Sequence, residues 1–165
     1  MVKIRTTPEE FQVKEQPPLP GLIIKDDINL PFAVFELTKT GWETQALISA
    51  ISKRIGIPVS SWGISGLKDK RSVTSQFVTI SRNYAPKNKV HGSGWTMTPF
   101  GGAERPLKSG DHRGNRFTIT VRDILHRDVQ LLPSRIAQVK SVGIPNWFDS
   151  QRFGSASEGL LPGQM

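Results

Sequence analysis

Hydrophobic and polar residues alternate in short stretches along this chain, a pattern that predicts β-strands. Residues 9–15 (EEFQVKE) and 116–124 (RFTITVRDI) alternate most clearly. Other stretches combine β-branched and aromatic residues with flanking Gly or Pro, and they also predict strands. These are PFAVFELTK (31–39), the start of SWGISGLKDK (61–70), SVTSQFVTI (72–80) and GWTMTPFGG (94–102). The intervening NYAPKNKVHGSG (83–94) is predicted to be a loop.

Two segments carry helical patterns. Thr40 and Glu43 have the spacing of a capping box, although Thr44 is an alternative cap. The apolar face of the helix that follows is formed by Leu47, Ala50, Ile51 and Ile55, and Gly56 with Pro58 ends it. A second helix is predicted to run from near Asp128 or Pro133 to Val142.

The order of these elements predicts the fold class. Strands come in hairpin-like pairs, with one helix after the second strand and one near the end of the chain. Regular alternation of strand and helix would instead indicate a parallel sheet. We therefore expect an α+β fold with a largely antiparallel mixed sheet flanked by helices.

Composition narrows the function. The chain has 165 residues, no Cys and only three His, so we expect neither a disulfide nor a metal site. We find no apolar run long enough to cross a bilayer and no charged-then-apolar leader, so we expect a soluble, cytoplasmic protein. The net charge is +8, and such a basic excess favours a polyanion partner, RNA or DNA.

Three short stretches place Arg or Lys close to Gly: GLKDKR (66–71), HRGNRF (112–117) and QRFG (151–154). Glycine lets a ligand approach the backbone, and Arg binds phosphate in a forked geometry. The alternative is three basic surface loops. Three such loops together favour RNA binding. The candidate RNA-binding residues are Lys68, Lys70, Arg71, Arg113, Arg116, Gln151 and Arg152.

Asp69 is the leading candidate for a catalytic group, because it is a single acid within a run of bases. A solvated turn would explain it equally well. Phe117 lies on the same strand face as Ile119 and Val121, which favours a core position over a ligand-facing one. Asn115 is either a turn residue or an amide that bonds a uracil edge or a carboxylate.

These residues also resemble the pseudouridine synthase D family. GLKDKRSVTSQ (66–76) is similar to the family form GxKDxxAxTxQ, with Ser72 in place of the usual Ala. Three further motifs follow the family's order: PEEF (8–11) is similar to PEDF, GNRFTITVR (114–122) to GNxFTIxLR, and GIPNWFDSQRFG (143–154) to GVPNYFGxQRFG. The chain departs from the family at Trp147, where Tyr is usual, and at Asp149, where Gly is usual.

The resemblance implies the pseudouridine synthase catalytic fold and the isomerisation of uridine to pseudouridine in tRNA, with no cofactor. Asp69 matches the aspartate that acts on the ribose or the base of a flipped-out nucleotide. Phe117 matches the aromatic that packs against the uracil, Asn115 an amide beside the aspartate, and Phe11 an aromatic that contacts the substrate. The surrounding cations are expected to keep Asp69 ionised and to attract phosphates.

Family members are considerably longer than this chain. They continue through an inserted domain, then return to complete the catalytic sheet and supply another pocket aromatic. The resemblance therefore implies that residues 1–142 are the N-terminal part of the catalytic domain and 143–165 the start of the inserted domain. A C-terminal segment of the same enzyme is an expected partner. The alternative function is a catalytically incomplete RNA-binding fragment of the same fold.

Overall fold

The alternating stretches form strands in the computed structural model, which describes residues 2–18 and 20–145. This part of the chain contains ten strands and two α-helices. In chain order they are β1 (Lys3–Ile4), β2 (Phe11–Glu15), β3 (Ile24–Lys25), β4 (Phe32–Thr40), α1 (Thr44–Ile55), β5 (Trp62–Ile64), β6 (Val73–Ser81), β7 (Val90–Gly92), β8 (Trp95–Ala103), β9 (Asn115–Ile119), β10 (Val121–Arg122) and α2 (His126–Val142).

Eight of these strands form one mixed sheet. The order of its main path is β3-β8-β4-β6-β2-β9, with β5 also paired to β6 and β7 to β8. Each of these pairs is antiparallel except β2 with β6, which is parallel. β1 and β10 form a separate antiparallel pair. The predicted α+β fold with a largely antiparallel mixed sheet is confirmed.

Some strand boundaries differ from the sequence pattern. The predicted loop at 83–94 contains β7, which forms a hairpin with β8. The predicted strand at 116–124 is divided into β9 and β10, because the chain leaves the large sheet after Ile119 and pairs with β1 instead. β1 was not predicted, since two residues are too short for a period to show.

Helix α1 begins differently from the prediction. Glu43 is its N-cap, and the carboxylate of this residue accepts hydrogen bonds from the backbone N–H groups of Gln45 and Ala46. Neither Thr40 nor Thr44 caps the helix. The end was predicted correctly, since Gly56 lies at the C-cap with a positive φ of 73° that suits glycine.

The apolar face of α1 also differs in part from the prediction. Leu47 and Ile51 are buried as expected, and Ile48 joins them. Ala50, in contrast, is exposed. The predicted row is therefore confirmed at Leu47, Ile51 and, in part, Ile55, and it is wrong only at Ala50.

The core of the large sheet has two sides. On one side, α1 covers alternate residues of β4 (Ala33, Phe35 and Leu37) together with neighbours from β6 and β8. On the other side, Val34 packs with Phe77, Ala103 and Leu107. None of the helices in residues 2–18 and 20–145 is long and apolar enough to span a membrane.

The described residues divide into two compact units, one ending at Asp123 and the other beginning at Ile124. Helix α2 belongs to the second unit. It begins at His126, earlier than expected, and includes Pro133, which lacks the N–H that would bond the carbonyl four residues earlier. Its end at Val142 agrees with the prediction. The domain boundary after residue 142 stays a prediction.

Candidate active site

The loop that carries Asp69 lies where three strands of the sheet have their ends. β2 begins beside the start of β6, because the two strands are parallel and Gln12 aligns with Val73. β4 ends at the same place, because it is antiparallel to β6 and Thr40 also aligns with Val73. The loop from Gly66 to Ser72 precedes β6 directly. The strand directions therefore bring Phe11, the end of β4 and Asp69 to one region.

Arg5 connects Asp69 to an aromatic wall, which is formed by Phe11 and Phe117. Its Nη1 lies 3.1 Å from the Oδ2 of Asp69, and its guanidinium carbon lies 3.7 Å from the centre of the Phe11 ring. Phe11 in turn meets Phe117 edge to face, with ring centres 6.0 Å apart. The structure thus brings three of the predicted residues together through one residue that was not predicted.

The Asp69 side chain is accessible. It is 42% exposed, and its Oδ1 accepts a hydrogen bond from the backbone N–H of Arg71. Each carboxylate oxygen therefore has one partner among the described residues, and a carboxylate can accept further bonds from a ligand. This is the geometry of a turn, but the carboxylate is also paired with a guanidinium group that stacks on an aromatic ring.

Phe117 is not a core residue, so the core position that the strand pattern favoured is wrong. The ring is 55% exposed, although the residue opposite it on β2 is the buried Val13. The reason is that β9 is the last strand in the sheet order, and neither of the two core clusters that cover the sheet faces includes a residue of this strand. Phe117 therefore presents an aromatic surface on the same sheet face as Phe11.

Asn115 lies on that face too. It is opposite Glu15 in the register of β2 and β9, and its Oδ1 is buried without a hydrogen-bond partner among the described residues. Buried amide oxygens are normally bonded, so this atom is a candidate for contact with a substrate.

Lys68 does not have the exposed position expected of a phosphate contact. It is 8% exposed, and its Nζ lies 2.7 Å from the Oε2 of the fully buried Glu15. The other carboxylate oxygen of Glu15 accepts a hydrogen bond from Ser65 Oγ at 2.6 Å. A buried carboxylate needs a charge partner more than an exposed one does, so the ammonium of Lys68 is directed to Glu15 rather than to RNA.

The other candidate RNA-binding residues of the described chain, Lys70, Arg71, Arg113 and Arg116, are all exposed. Their role stays a prediction. Gln151 and Arg152 lie outside the described residues.

A second ion pair holds the segment that leads into β2. Glu10 is 4% exposed and accepts hydrogen bonds from Arg122 and from the backbone N–H of Thr6. The hydrogen bond from Arg122 lowers the pKa of Glu10 below its usual value. This pair connects β10 to the turn just before Phe11, and it thereby stabilises the aromatic wall.

A cavity lies elsewhere in the described part of the chain. It has a volume of about 650 Å³ and is lined by residues at the opposite end of β4, among them Ala33, Phe35 and Phe100. Arg82 also lines it, but its guanidinium donates hydrogen bonds to the backbone carbonyls of Leu30 and Phe32. At Asp69, in contrast, an accessible carboxylate is paired with a guanidinium group that stacks on an aromatic ring, so we place the candidate active site there.

Known proteins are similar to most of this chain. The family model described as tRNA pseudouridine synthase D (TruD) matches residues 1–158. The probable tRNA pseudouridine synthase D of Pyrococcus abyssi is 37% identical over 153 residues, which cover 92% of this chain and 36% of that protein. The tRNA pseudouridine synthase D of Aquifex aeolicus is 32% identical over 158 residues, which cover 93% of this chain and 40% of that protein.

A solved structure is also similar. The crystal structure of a Methanosarcina mazei protein described as tRNA pseudouridine synthase D (TruD) superposes on this chain with a TM-score of 0.80 and is 28% identical in sequence. The match covers 93% of this chain and 35% of that one. The predicted pseudouridine synthase fold is therefore confirmed. The chain spans a little over a third of the length of the relatives that it matches.

Proposed function

Because the chain belongs to the tRNA pseudouridine synthase D family, we propose that it supplies the catalytic aspartate of an enzyme that isomerises uridine to pseudouridine in tRNA. The observation that carries the proposal is the Asp69 carboxylate paired with Arg5, whose guanidinium stacks on Phe11. An accessible carboxylate, a fixed cation and an aromatic wall are the groups that a flipped-out pyrimidine nucleotide requires.

The proposed reaction rearranges atoms without adding any. The bond between C1′ of the ribose and N1 of uracil breaks, and a bond between C1′ and C5 forms. The proton on C5 is lost, and N1 gains one. The reaction therefore needs no redox partner or group donor. An ionised Asp69 close to the sugar would act at C1′ or on the base while the glycosidic bond is broken.

The substrate side of the site is formed by Phe117 and Asn115. The exposed face of Phe117 offers a surface on which uracil can pack. The unbonded amide oxygen of Asn115 can accept a hydrogen bond from the N3–H of uracil, and the NH₂ group of the same side chain can donate one to a carboxylate. The exposed cations Lys70, Arg71, Arg113 and Arg116 would contact phosphates on either side of the target.

A second candidate is a binding module that holds RNA but does not turn it over. It is supported by the exposed cations Lys70, Arg71, Arg113 and Arg116, which can bind phosphates without any chemistry. Pseudouridine formation distinguishes the two candidates. This activity should be measured for the chain alone and for a fusion of the chain with the part of the Pyrococcus abyssi protein that it does not match.

The test of the proposal is Asp69→Asn, with Asp123→Asn as the matched control. Both aspartates are about half exposed, and each pairs with one cation, Arg5 for Asp69 and Lys3 for Asp123. Asn keeps the shape of the side chain but lacks the charge, and loss of a partly exposed ion pair costs about 0–1 kcal/mol. Both variants should therefore fold normally.

Only Asp69→Asn should abolish the release of tritium from tRNA labelled at C5 of uridine. RNA binding by this variant should be unchanged or tighter, because one negative charge leaves a basic surface. Turnover by Asp69→Asn equal to that of Asp123→Asn would refute the assignment of Asp69.

A further inference from the structure

Lys39 is a charged residue at a core position of β4. It continues the alternate row of Ala33, Phe35 and Leu37, which faces α1, and it is only 1% exposed. Lysine is almost never fully buried unless its ammonium group is bonded. None of the ion pairs formed by the described residues includes Lys39. Its partners must therefore be neutral groups.

Those partners are three backbone carbonyl groups. The Nζ of Lys39 donates hydrogen bonds to the carbonyl oxygens of Trp42 at 2.8 Å, Lys68 at 3.1 Å and Asp69 at 3.0 Å. An ammonium group has three donors, and here all three are used on the backbone. Two of the three acceptors belong to the loop that carries Asp69, including the carbonyl of Asp69 itself.

Neighbouring buried side chains bond the same loop. The Oγ1 of Thr44 accepts a hydrogen bond from the backbone N–H of Lys68 at 3.1 Å. The Nε2 of Gln76 donates to the carbonyl of Gly66 at 3.2 Å. Both residues are fully buried. The backbone of Gly66–Asp69 is thus bonded from beneath by β4, by the first residue of α1 and by β6.

We propose that Lys39 is a positioning residue, whose buried ammonium group fixes the backbone at Asp69 and thereby aims its carboxylate at the substrate. This inference rests on the proposed function of Asp69. The Asp69 side chain is partly exposed and would otherwise be free to move with its loop. A displacement of about 1 Å in a reacting group can cost about 100-fold in rate, so such an anchor has a large effect on turnover.

The ionisation of Lys39 fits this role. Burial lowers its pKa to about 8, while the negative charges of Asp69 and Glu43 act in the opposite direction and the charge of Lys68 acts with burial. The group is therefore mostly protonated at pH 7 and has all three donors available. Above pH 8 it loses a proton, and with it one of the three hydrogen bonds.

The test is Lys39→Met, with Lys53→Met as the matched control. Methionine fills the buried space with an unbranched side chain but cannot donate, whereas Lys53 is an exposed residue of α1. The first measurement is amide hydrogen exchange of residues 66–72 by NMR on the 165-residue chain without RNA. Exchange in this loop should become about tenfold faster in Lys39→Met and stay unchanged in Lys53→Met.

The second measurement separates kcat from KM for tRNA, using the chain joined to the unmatched part of the Pyrococcus abyssi relative. Lys39→Met should lower kcat by about 100-fold with a change in KM below about threefold, because a buried group affects orientation and not RNA contact. Equal kcat values for Lys39→Met and Lys53→Met, or unchanged exchange in the loop, would overturn the proposal.

Two further outcomes are distinguishable. If Lys39→Met does not fold, Thr44→Val removes the acceptor of the Lys68 N–H without changing a charge, and its effects on exchange and kcat replace those of Lys39→Met. If the unchanged chain forms no pseudouridine in either form, the proposed function fails and the catalytic role of Lys39 with it. Faster exchange in Lys39→Met would then support only the structural anchor.

Discussion

Arg5 lies 3.1 Å from Asp69, although the two residues are far apart in the sequence. Arg5 also adopts a positive φ of 60°, which is uncommon for a residue with a side chain. Such backbone conformations persist where surrounding contacts hold them, and they are frequent at functional sites. In this chain the ion pair with Asp69 and the stacking on Phe11 supply the contacts.

Replacing Arg5 should affect catalysis much more than stability. We expect Arg5→Gln to lower pseudouridine formation by at least about tenfold, since the carboxylate loses its ionic partner, while the free energy of unfolding changes by less than about 1 kcal/mol. The matched control is Lys3→Gln, which removes an exposed cation of the neighbouring strand paired with Asp123 at 2.7 Å. Equal rates for the two variants would mean that the Arg5 pair is only a surface contact.

Phe117 should matter for the substrate and little for folding. Its ring is 55% exposed, so Phe117→Ala should destabilise the chain by about 1 kcal/mol, mostly through the lost edge contact with Phe11. A core position such as Phe35, which is 1% exposed, should cost about 3–5 kcal/mol when changed to Ala. Urea unfolding measures both values.

The control for substrate binding is Ile119→Ala. Ile119 lies on the same strand face and is 43% exposed, but it is not aromatic. If Phe117 stacks on uracil, only Phe117→Ala should weaken RNA binding and turnover. Equal losses in both variants would indicate a general apolar contact instead.

The exposed cations should govern the salt dependence of RNA binding. Arg113→Gln should lower the slope of log affinity against log salt by about one unit, because one phosphate contact is lost. Arg116→Gln should do the same. The slope should be measured by filter binding with tRNA, and an unchanged slope would make these residues parts of ordinary surface loops.

Replacing Lys68 should lower stability and leave the salt dependence of RNA binding unchanged. Lys68→Met leaves the buried carboxylate of Glu15 without its ionic partner, so we expect a loss of stability of about 3–5 kcal/mol. Its exposed neighbour Lys70, changed to Met, should alter stability by less than about 0.5 kcal/mol. A stable Lys68→Met chain with a reduced salt slope would restore Lys68 to the RNA-binding set.

The buried Lys39 should make stability depend on alkaline pH. Its pKa is lowered by burial from 10.5 to about 8 in the folded chain, so between these values the unfolded chain binds the proton and the folded chain does not. The free energy of unfolding should therefore rise between pH 8 and pH 10.5, by about 1.4 kcal/mol for each unit of pKa change. Lys39→Met should remove this rise, and Lys53→Met should keep it. Parallel curves for all three chains would contradict the lowered pKa.

The sequence by itself determined most of the local structure. Stretches rich in β-branched and aromatic residues placed β4 and β6 within one residue of their observed bounds, and Gly56 marked the end of α1. The GLKDKRSVTSQ motif and three further motifs indicated the family, and the first of them contains the candidate Asp69. These features could be predicted because each depends on neighbours in the chain: side-chain period, capping chemistry and motif spacing.

The tertiary structure alone decided which residues meet. The parallel pairing of β2 with β6 brings Arg5 and Phe11 to Asp69, and no local pattern encodes that register. Lys39 did leave a signal, since a charged residue continued the apolar row of β4, but its carbonyl partners come from distant segments. Lys68 was expected at an RNA contact but is buried, and Phe117 was expected in the core but is exposed, because the surroundings of each depend on distant segments too. A sequence period tells which face of a strand a side chain occupies, whereas burial depends on what covers that face.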